Sequence, residues 1–201
     1  MARAVTMRAL AGGHHVVLVG TALSKAEDLA DELTGEGPVT AAETVSGDMV
    51  VLAVPYTQAP HVVRQHADAL DGMVVVDITN PVDIGALEPL DLGFVAPFNS
   101  AAQLIADAAP DGATVVKAFN TTFAGPLLAG NVAGRPLDVF IAGDDADAKA
   151  LVSQLARDGG LRPIDAGALA RARELEALGY LHMAMQPSLG TFFSSAVVVV
   201  P

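Results

Sequence analysis

Short, wholly apolar runs alternate with stretches of helical periodicity along the chain. Val16 to Gly20 is an apolar run closed by glycine, the pattern of a strand buried on both faces. Ser24 and Glu27 then predict a capping box, with Leu29, Ala30 and Leu33 recurring at helical spacing until Gly35-Glu36-Gly37-Pro38. Val39 to Ala41 suits a brief strand, and Met49 to Pro55 a fully apolar one. Thr57 to Leu70 reads as one amphipathic helix with Pro60 in its first turn. Next come a strand over Met73 to Ile78, a helix over Ser100 to Ala109 and a strand over Thr114 to Phe119. Leu137 to Ala142 is strand, Gly143-Asp144-Asp145 caps a helix running to Arg157, and Gly159-Gly160 stops it. Leu161 to Asp165 is strand, Arg171 to Met185 helix, and Thr191 to Pro201 is expected as a final strand. Apolar strands joined by helical crossovers imply an α/β fold: a doubly wound, mostly parallel sheet covered on both faces.

Ligands of such sheets lie beyond the carboxyl ends of the strands, so the loops after the strands hold the candidate chemistry. After the first run come Thr21, Ser24 and Lys25, with no acidic residue among them. A hydroxyl and a cation there suit a ribose 2′-phosphate, and equally a solvated cap. After the second apolar strand, Val54-Pro55-Tyr56 turns the chain across the crevice. Tyr56 is either a packing surface for a nicotinamide or an aromatic strand terminator. Thr79, Asn80 and Pro81 come after the third strand, where neutral polar groups suit an amide or ribose ligand and also an ordinary turn. Asn120, Thr121 and Thr122 cluster after the fourth.

Composition narrows the classes. The 201 residues are 52% hydrophobic and 17% charged, which excludes a disordered chain. There is no cysteine, so disulfides and thiolate chemistry are excluded. The net charge of −12 disfavours nucleic acid and anionic membrane as partners. No apolar run approaches the roughly 20 residues of a membrane span, and a cytoplasmic location is expected. The five histidines lack metal-ligand spacing, so no metal is expected. Neither a hydrolase nucleophile elbow nor a nucleotide P-loop motif occurs. The one Gly-x-Gly, Gly35-Glu36-Gly37, lies after a helix and before a strand, the wrong context for a phosphate-binding turn.

Several segments together resemble the NADP-dependent reductases of coenzyme F420, a deazaflavin. They are Leu10-Ala11-Gly12-Gly13-His14, Val54-Pro55-Tyr56, Asp77-Ile78-Thr79-Asn80-Pro81, Val116 to Thr121, Ala142-Gly143-Asp144-Asp145 and Gly160 to Gly167. The resemblance implies a Rossmann-type sheet with a smaller C-terminal extension. Residues 1–135 would form the NAD(P)-binding part, and 136–201 would complete the sheet and the second-cofactor cleft. It implies hydride transfer between NADP(H) and the deazaflavin, with no catalytic side chain required because the cofactors hold the reacting atoms. Thr21 and Lys25 would meet the 2′-phosphate. Val54, Pro55 and Tyr56 would line the nicotinamide half, Asn80, Pro81, Asn120 and Thr122 would face the second cofactor, and Thr79 would be a further cofactor-binding residue. Gly190 and the tail would form the outer wall.

Two positions depart from the family pattern: Ala22, where an arginine is common, and Asn120, where a histidine is expected. Met1-Ala2-Arg3-Ala4 reads as helix and resembles the start of the helix after the family's glycine turn. The resemblance therefore implies about ten further residues before Met1, a strand and that turn. A non-catalytic cofactor-binding paralogue and an NADPH-dependent imine or carbonyl reductase are the alternative functions, and a homodimer stays open.

Overall fold

The computed structural model describes residues 1–82 and 100–200. The chain enters through α1 (Ala2–Ala11) and continues as β1 (Val16–Leu18), α2 (Leu23–Glu32), β2 (Val39–Ala41) and β3 (Met49–Leu52). Then come α3 (Ala59–Gln65), α4 (Ala67–Leu70), β4 (Val74–Asp77), α5 (Ala101–Ala106), β5 (Thr114–Lys117) and α6 (Ala124–Ala129). The last third holds β6 (Asn131–Val132), β7 (Arg135–Pro136), β8 (Asp138–Gly143), α7 (Ala146–Asp158), β9 (Arg162–Gly167), α8 (Ala172–Ala184) and α9 (Gln186–Leu189). Among the described residues no helix is long and apolar enough to cross a membrane.

Five strands form the central sheet in the order β3-β4-β5-β8-β9. β3, β4 and β5 run parallel, β8 is antiparallel to β5, and β9 is parallel to β8. The mostly parallel α/β sheet is thus the one expected, with one reversal. β1 and β2 pair in parallel as a separate two-stranded sheet, and β6 and β7 form a small antiparallel hairpin that the apolar pattern did not reveal.

Period-two alternation distributes the core between the two faces. Val76 and Val116 pack with Ala4 and Val5 of α1, Leu127 of α6 and Ala148, Val152 and Ala156 of α7. Their neighbours Val75 and Val115 point the other way, onto Val63 of α3, Ala102 and Ile105 of α5 and Ala172 of α8. Each such valine, withdrawn from water, contributes about 1.5–3 kcal/mol.

Four local expectations are corrected. The helix after β1 starts one residue ahead of the Ser24–Glu27 box: its N-cap is Ala22, extended at φ −144°, and no side chain caps it. Ser24 therefore lies inside the first turn. The single helix expected over Thr57 to Leu70 is a 3-10 turn at Tyr56–Gln58 followed by α3 and α4, broken at His66, whose backbone leaves the helical region (φ −107°, ψ 18°). The strand expected over Thr191 to Pro201 is not one across 191–200, and Pro201 lies outside the described residues. Phe192 and Phe193 have φ of 48° and 61°, which turns the chain, and Val199 spends its N–H and carbonyl on the side chains of Asp138 and Arg162 rather than on a ladder. The strand expected to end at Phe119 ends at Lys117, because Phe119 adopts a left-handed φ of 60°.

Candidate functional site

Parallel pairing in register brings the carboxyl ends of β3, β4 and β5 side by side. Leu52 lies opposite Asp77, and Asp77 opposite Lys117. The loops beyond them, Val54 to Tyr56, Thr79 to Pro81 and Asn120 to Thr122, are therefore neighbours, as the fold rule for open α/β sheets requires.

The centre of this edge is a reciprocal amide contact. Asn80 Nδ2 donates to the Asn120 carbonyl at 2.7 Å, and Asn120 Nδ2 donates to Asn80 Oδ1 at 2.8 Å. Asn120 Nδ2 also reaches the Leu175 carbonyl at 3.0 Å, which ties the pair to α8. α8 comes this close because residue 179 is glycine: a Cβ there would lie 2.9 Å from the Asn120 carbonyl oxygen. Two polar atoms at this edge, Thr79 Oγ1 and Asn120 Oδ1, are buried without a hydrogen-bond partner among the described residues. Such atoms are costly unless something satisfies them. Thr122 is buried, and its hydroxyl donates to the Phe119 carbonyl at 3.0 Å. Pro81 is buried, Val54 half-buried and Pro55 exposed.

Beneath the loops lies a group of charges not singled out from the sequence. Lys117 is fully buried between Asp77 and Glu176, with Nζ 2.7 Å from Asp77 Oδ2 and 2.8 Å from Glu176 Oε1. Its sequence signal was a lysine and an aspartate ending two strands that were otherwise apolar. Glu176 gave no signal, since it reads as a solvated position of an amphipathic helix. Tyr56 sits within reach of these charges. Burial pushes its phenol pKa up, the carboxylates of Glu176 and Asp77 add to that, and Lys117 opposes it. Tyr56 is thus a neutral hydroxyl-bearing ring.

On the far flank, His182 of α8 is buried with its ring 4.3 Å from Phe123, and Phe193 meets Phe123 edge-on at 5.0 Å. His182 Nε2 pairs with Ser195 Oγ at 2.8 Å, and Gln186 accepts from Thr191 Oγ1 and the Phe193 N–H. Burial lowers the His182 pKa. The Thr121 backbone offsets this in part, without reaching Nδ1 in hydrogen-bonding geometry.

The predicted residues fall into groups. Thr79, Asn80, Pro81, Asn120 and Thr122 belong to one edge, with Val54, Pro55 and Tyr56 beside it. Thr21 and Lys25 are exposed on the loop and first turn after β1, in the separate β1–β2 pair. Gly190, at φ 61°, ends α9 and is exposed. Two surface hollows lie elsewhere: one of about 440 Å³ lined by Arg8, Gly130, Asn131 and Arg135, and one of about 450 Å³ lined by Met73, Thr114, Asp145 and Leu151.

Alternating strands and helices, with neutral polar loops gathered at one sheet edge, define a Rossmann-type nucleotide-cofactor protein. Comparison with known proteins makes this specific. Residues 1–81 match the family model described as NADP oxidoreductase coenzyme F420-dependent. The F420-dependent NADP reductase of Methanothermobacter thermautotrophicus is 31% identical over 166 residues, covering 78% of this chain and 69% of that protein. Metalloreductase STEAP3 of Rattus norvegicus is 37% identical over 136 residues, but this chain spans only 26% of its length. A candidate F420-dependent NADP reductase from Arthrobacter sp. FB24 has a crystal structure that superposes with a TM-score of 0.78 at 28% identity, covering 98% of this chain and 96% of that one. A pyrroline-5-carboxylate reductase from Coxiella burnetii, at 17% identity and a TM-score of 0.63, shares the fold. The chain belongs to the F420-dependent NADP reductase family.

Proposed function

We propose that this chain transfers a hydride between NADP(H) and a deazaflavin of the coenzyme F420 type. The observation that carries the reading is the Asn80–Asn120 edge: neutral, rich in amides, with Thr79 Oγ1 and Asn120 Oδ1 lacking partners among the described residues. A planar ring bearing amide or lactam groups, as both coenzymes do, complements such a surface. When bound, the two coenzymes supply the hydride donor and acceptor, so the protein needs placement more than acid–base groups. Asn80, Pro81, Asn120 and Thr122 would hold the deazaflavin, and Thr79 the ring edge between the cofactors. Val54, Pro55 and Tyr56 would line the nicotinamide side, and Tyr56, kept neutral, offers a ring and a hydroxyl without a charge. Thr21 and Lys25 would meet the 2′-phosphate, and Gly190 with the tail would close the outer wall. Residues 1–135 would form the nucleotide part and 136–201 the second-cofactor part.

The test is a titration of the purified chain with NADPH and with reduced and oxidised deazaflavin, then a spectroscopic assay of hydride transfer. Turnover with both cofactors supports the reading. Turnover of a cyclic imine without deazaflavin replaces it with the reductase alternative. Deazaflavin binding without measurable NADPH binding would instead support the alternative of a non-catalytic cofactor-binding protein.

A further inference from the structure

Lys117 is fully buried, and no part of the proposed hydride transfer uses it. It ends β5 opposite the last residue of β4, Asp77. Its ammonium makes all three of the hydrogen bonds it can donate: to Asp77 Oδ2 at 2.7 Å, to the Thr79 carbonyl at 2.6 Å and to Glu176 Oε1 at 2.8 Å. Asp77 in turn accepts the Thr79 N–H on Oδ1 at 2.8 Å. Both backbone polar groups of Thr79 are therefore held by buried charges. Glu176 carries the same constraint outward, for its carboxylate also accepts the N–H groups of Ala101 and Ala102, the first two residues of α5. One lysine thus joins β4, β5, α5 and α8.

Stability does not account for this arrangement. A buried ion group seldom outperforms apolar side chains of the same volume, because desolvation consumes the Coulomb gain. What the charges supply is direction. Thr79 is the residue before Asn80, so its fixed N–H and carbonyl set where the Asn80 amide points. The reciprocal bonds to Asn120 form only when that amide faces the Asn120 backbone.

We propose that Lys117 is a positioning residue: acting with Asp77 and Glu176, it fixes Thr79 so that Asn80 and Asn120 present one preorganised amide surface to the cofactor ring. The ligand's identity rests on the proposed function, but the positioning role does not. Rigidity of this kind acts on the ring-binding edge and leaves the phosphate end at Thr21 and Lys25 untouched.

The double variant D77N/K117M tests it. It removes one charge of each sign, leaves Glu176 satisfied by the α5 amides, and keeps an oxygen at residue 77 to accept the Thr79 N–H. Two readouts apply to the folded variant, well below its unfolding temperature. Selective ¹⁵N labelling of asparagine tracks hydrogen exchange of the Asn80 and Asn120 side-chain amides in the unliganded protein. Titration compares deazaflavin with NADPH. The expected result is amide exchange and a deazaflavin Kd each raised by about tenfold, the scale of one lost hydrogen bond, with the NADPH Kd, which depends on this edge only through Thr79 and Tyr56 at the nicotinamide end, raised by a clearly smaller factor. Unchanged exchange and unchanged deazaflavin affinity in the folded variant overturn the proposal, as does equal weakening of both cofactors. Should the double variant not fold, Glu176→Gln, which leaves the β4–β5 pair intact, is expected to move the same readouts in the same direction by a smaller factor. No movement there overturns the proposal equally. If the wild-type chain binds no deazaflavin, the functional reading fails, while the exchange comparison still decides the role of Lys117.

Discussion

Replacing Gly179 by alanine adds one methyl group at the point where α8 meets the Asn80–Asn120 pair. The new Cβ would lie 2.9 Å from the Asn120 carbonyl oxygen and 3.0 Å from both Asn80 Nδ2 and Oδ1. None of these atoms yields easily. The carbonyl is backbone, and the Asn80 amide is held at both of its polar atoms. Forcing a methyl into such a contact costs about 1–3 kcal/mol, and weakening one hydrogen bond of the pair costs about 1 kcal/mol more. Alanine recovers about 1 kcal/mol of helix propensity in the interior of α8. The net is a loss of about 2 kcal/mol, which at about 2–4 °C per kcal/mol for a chain of this size lowers Tm by about 4–8 °C. Gly125→Ala in α6 is the matched control. The nearest atom to its added Cβ is the Phe193 carbonyl oxygen at 3.8 Å, an ordinary contact. That variant should be stabilised by about 0.4–1 kcal/mol through reduced freedom of the unfolded chain. Thermal and denaturant unfolding of the two proteins, without ligand, measures the difference in sign. A Gly179→Ala protein as stable as the wild type refutes the claim that α8 is seated by contact with the amide pair.

Three further outcomes are expected. Asp145→Ala removes the side-chain oxygen that accepts the Ala148 N–H at 2.7 Å and caps α7, so denaturant unfolding should show a loss of about 1 kcal/mol. His182 has its pKa lowered by burial, so the unfolded chain takes up a proton at its histidine before the folded one does. Its contribution to stability is complete above about pH 6.5 and is lost as the pH falls below it. The decline in denaturant midpoint between pH 7.5 and 5.5, chosen to span about one unit either side of that value, should be smaller in His182→Gln than in the wild type, and an identical decline contradicts the assignment. Lys25→Ala should weaken NADPH binding by about fivefold, the worth of about 1 kcal/mol at an exposed site, and leave NADH binding unchanged. Equal effects on the two nucleotides would remove Lys25 from the 2′-phosphate site.

Much of the candidate site was legible because its residues are anomalies of local pattern. Thr79, Asn80, Asn120 and Thr122 stand out as polar groups immediately after apolar strands, and the strand-end rule for parallel sheets says that such positions meet. Asp77 and Lys117 stood in plain sight within two strands, but their pairing depends on register, which no local pattern specifies. Glu176 was illegible. On a helix with apolar residues on one side, a glutamate reads as solvent-facing, and only the packing of α8 over β4 and β5 buries it against a lysine 59 positions away. The tail misled for a related reason. Val197 to Val200 has the composition of a strand, yet a strand needs a free edge to pair with, and here Asp138 and Arg162 take up the polar groups of Val199.

The sequence by itself determined the alternation of strand and helix, the two covered faces of the sheet and the neutral chemistry of its carboxyl edge. These come from periodicity and from residues near one another in the chain. The tertiary structure alone decided that β8 reverses against β5 and that one buried lysine ties four elements together beneath the amide pair. Those depend on which distant segments share a hydrogen-bonded edge or a desolvated charge. Such contacts are chosen by the free energy of the whole packed chain, to which each local stretch contributes only its half.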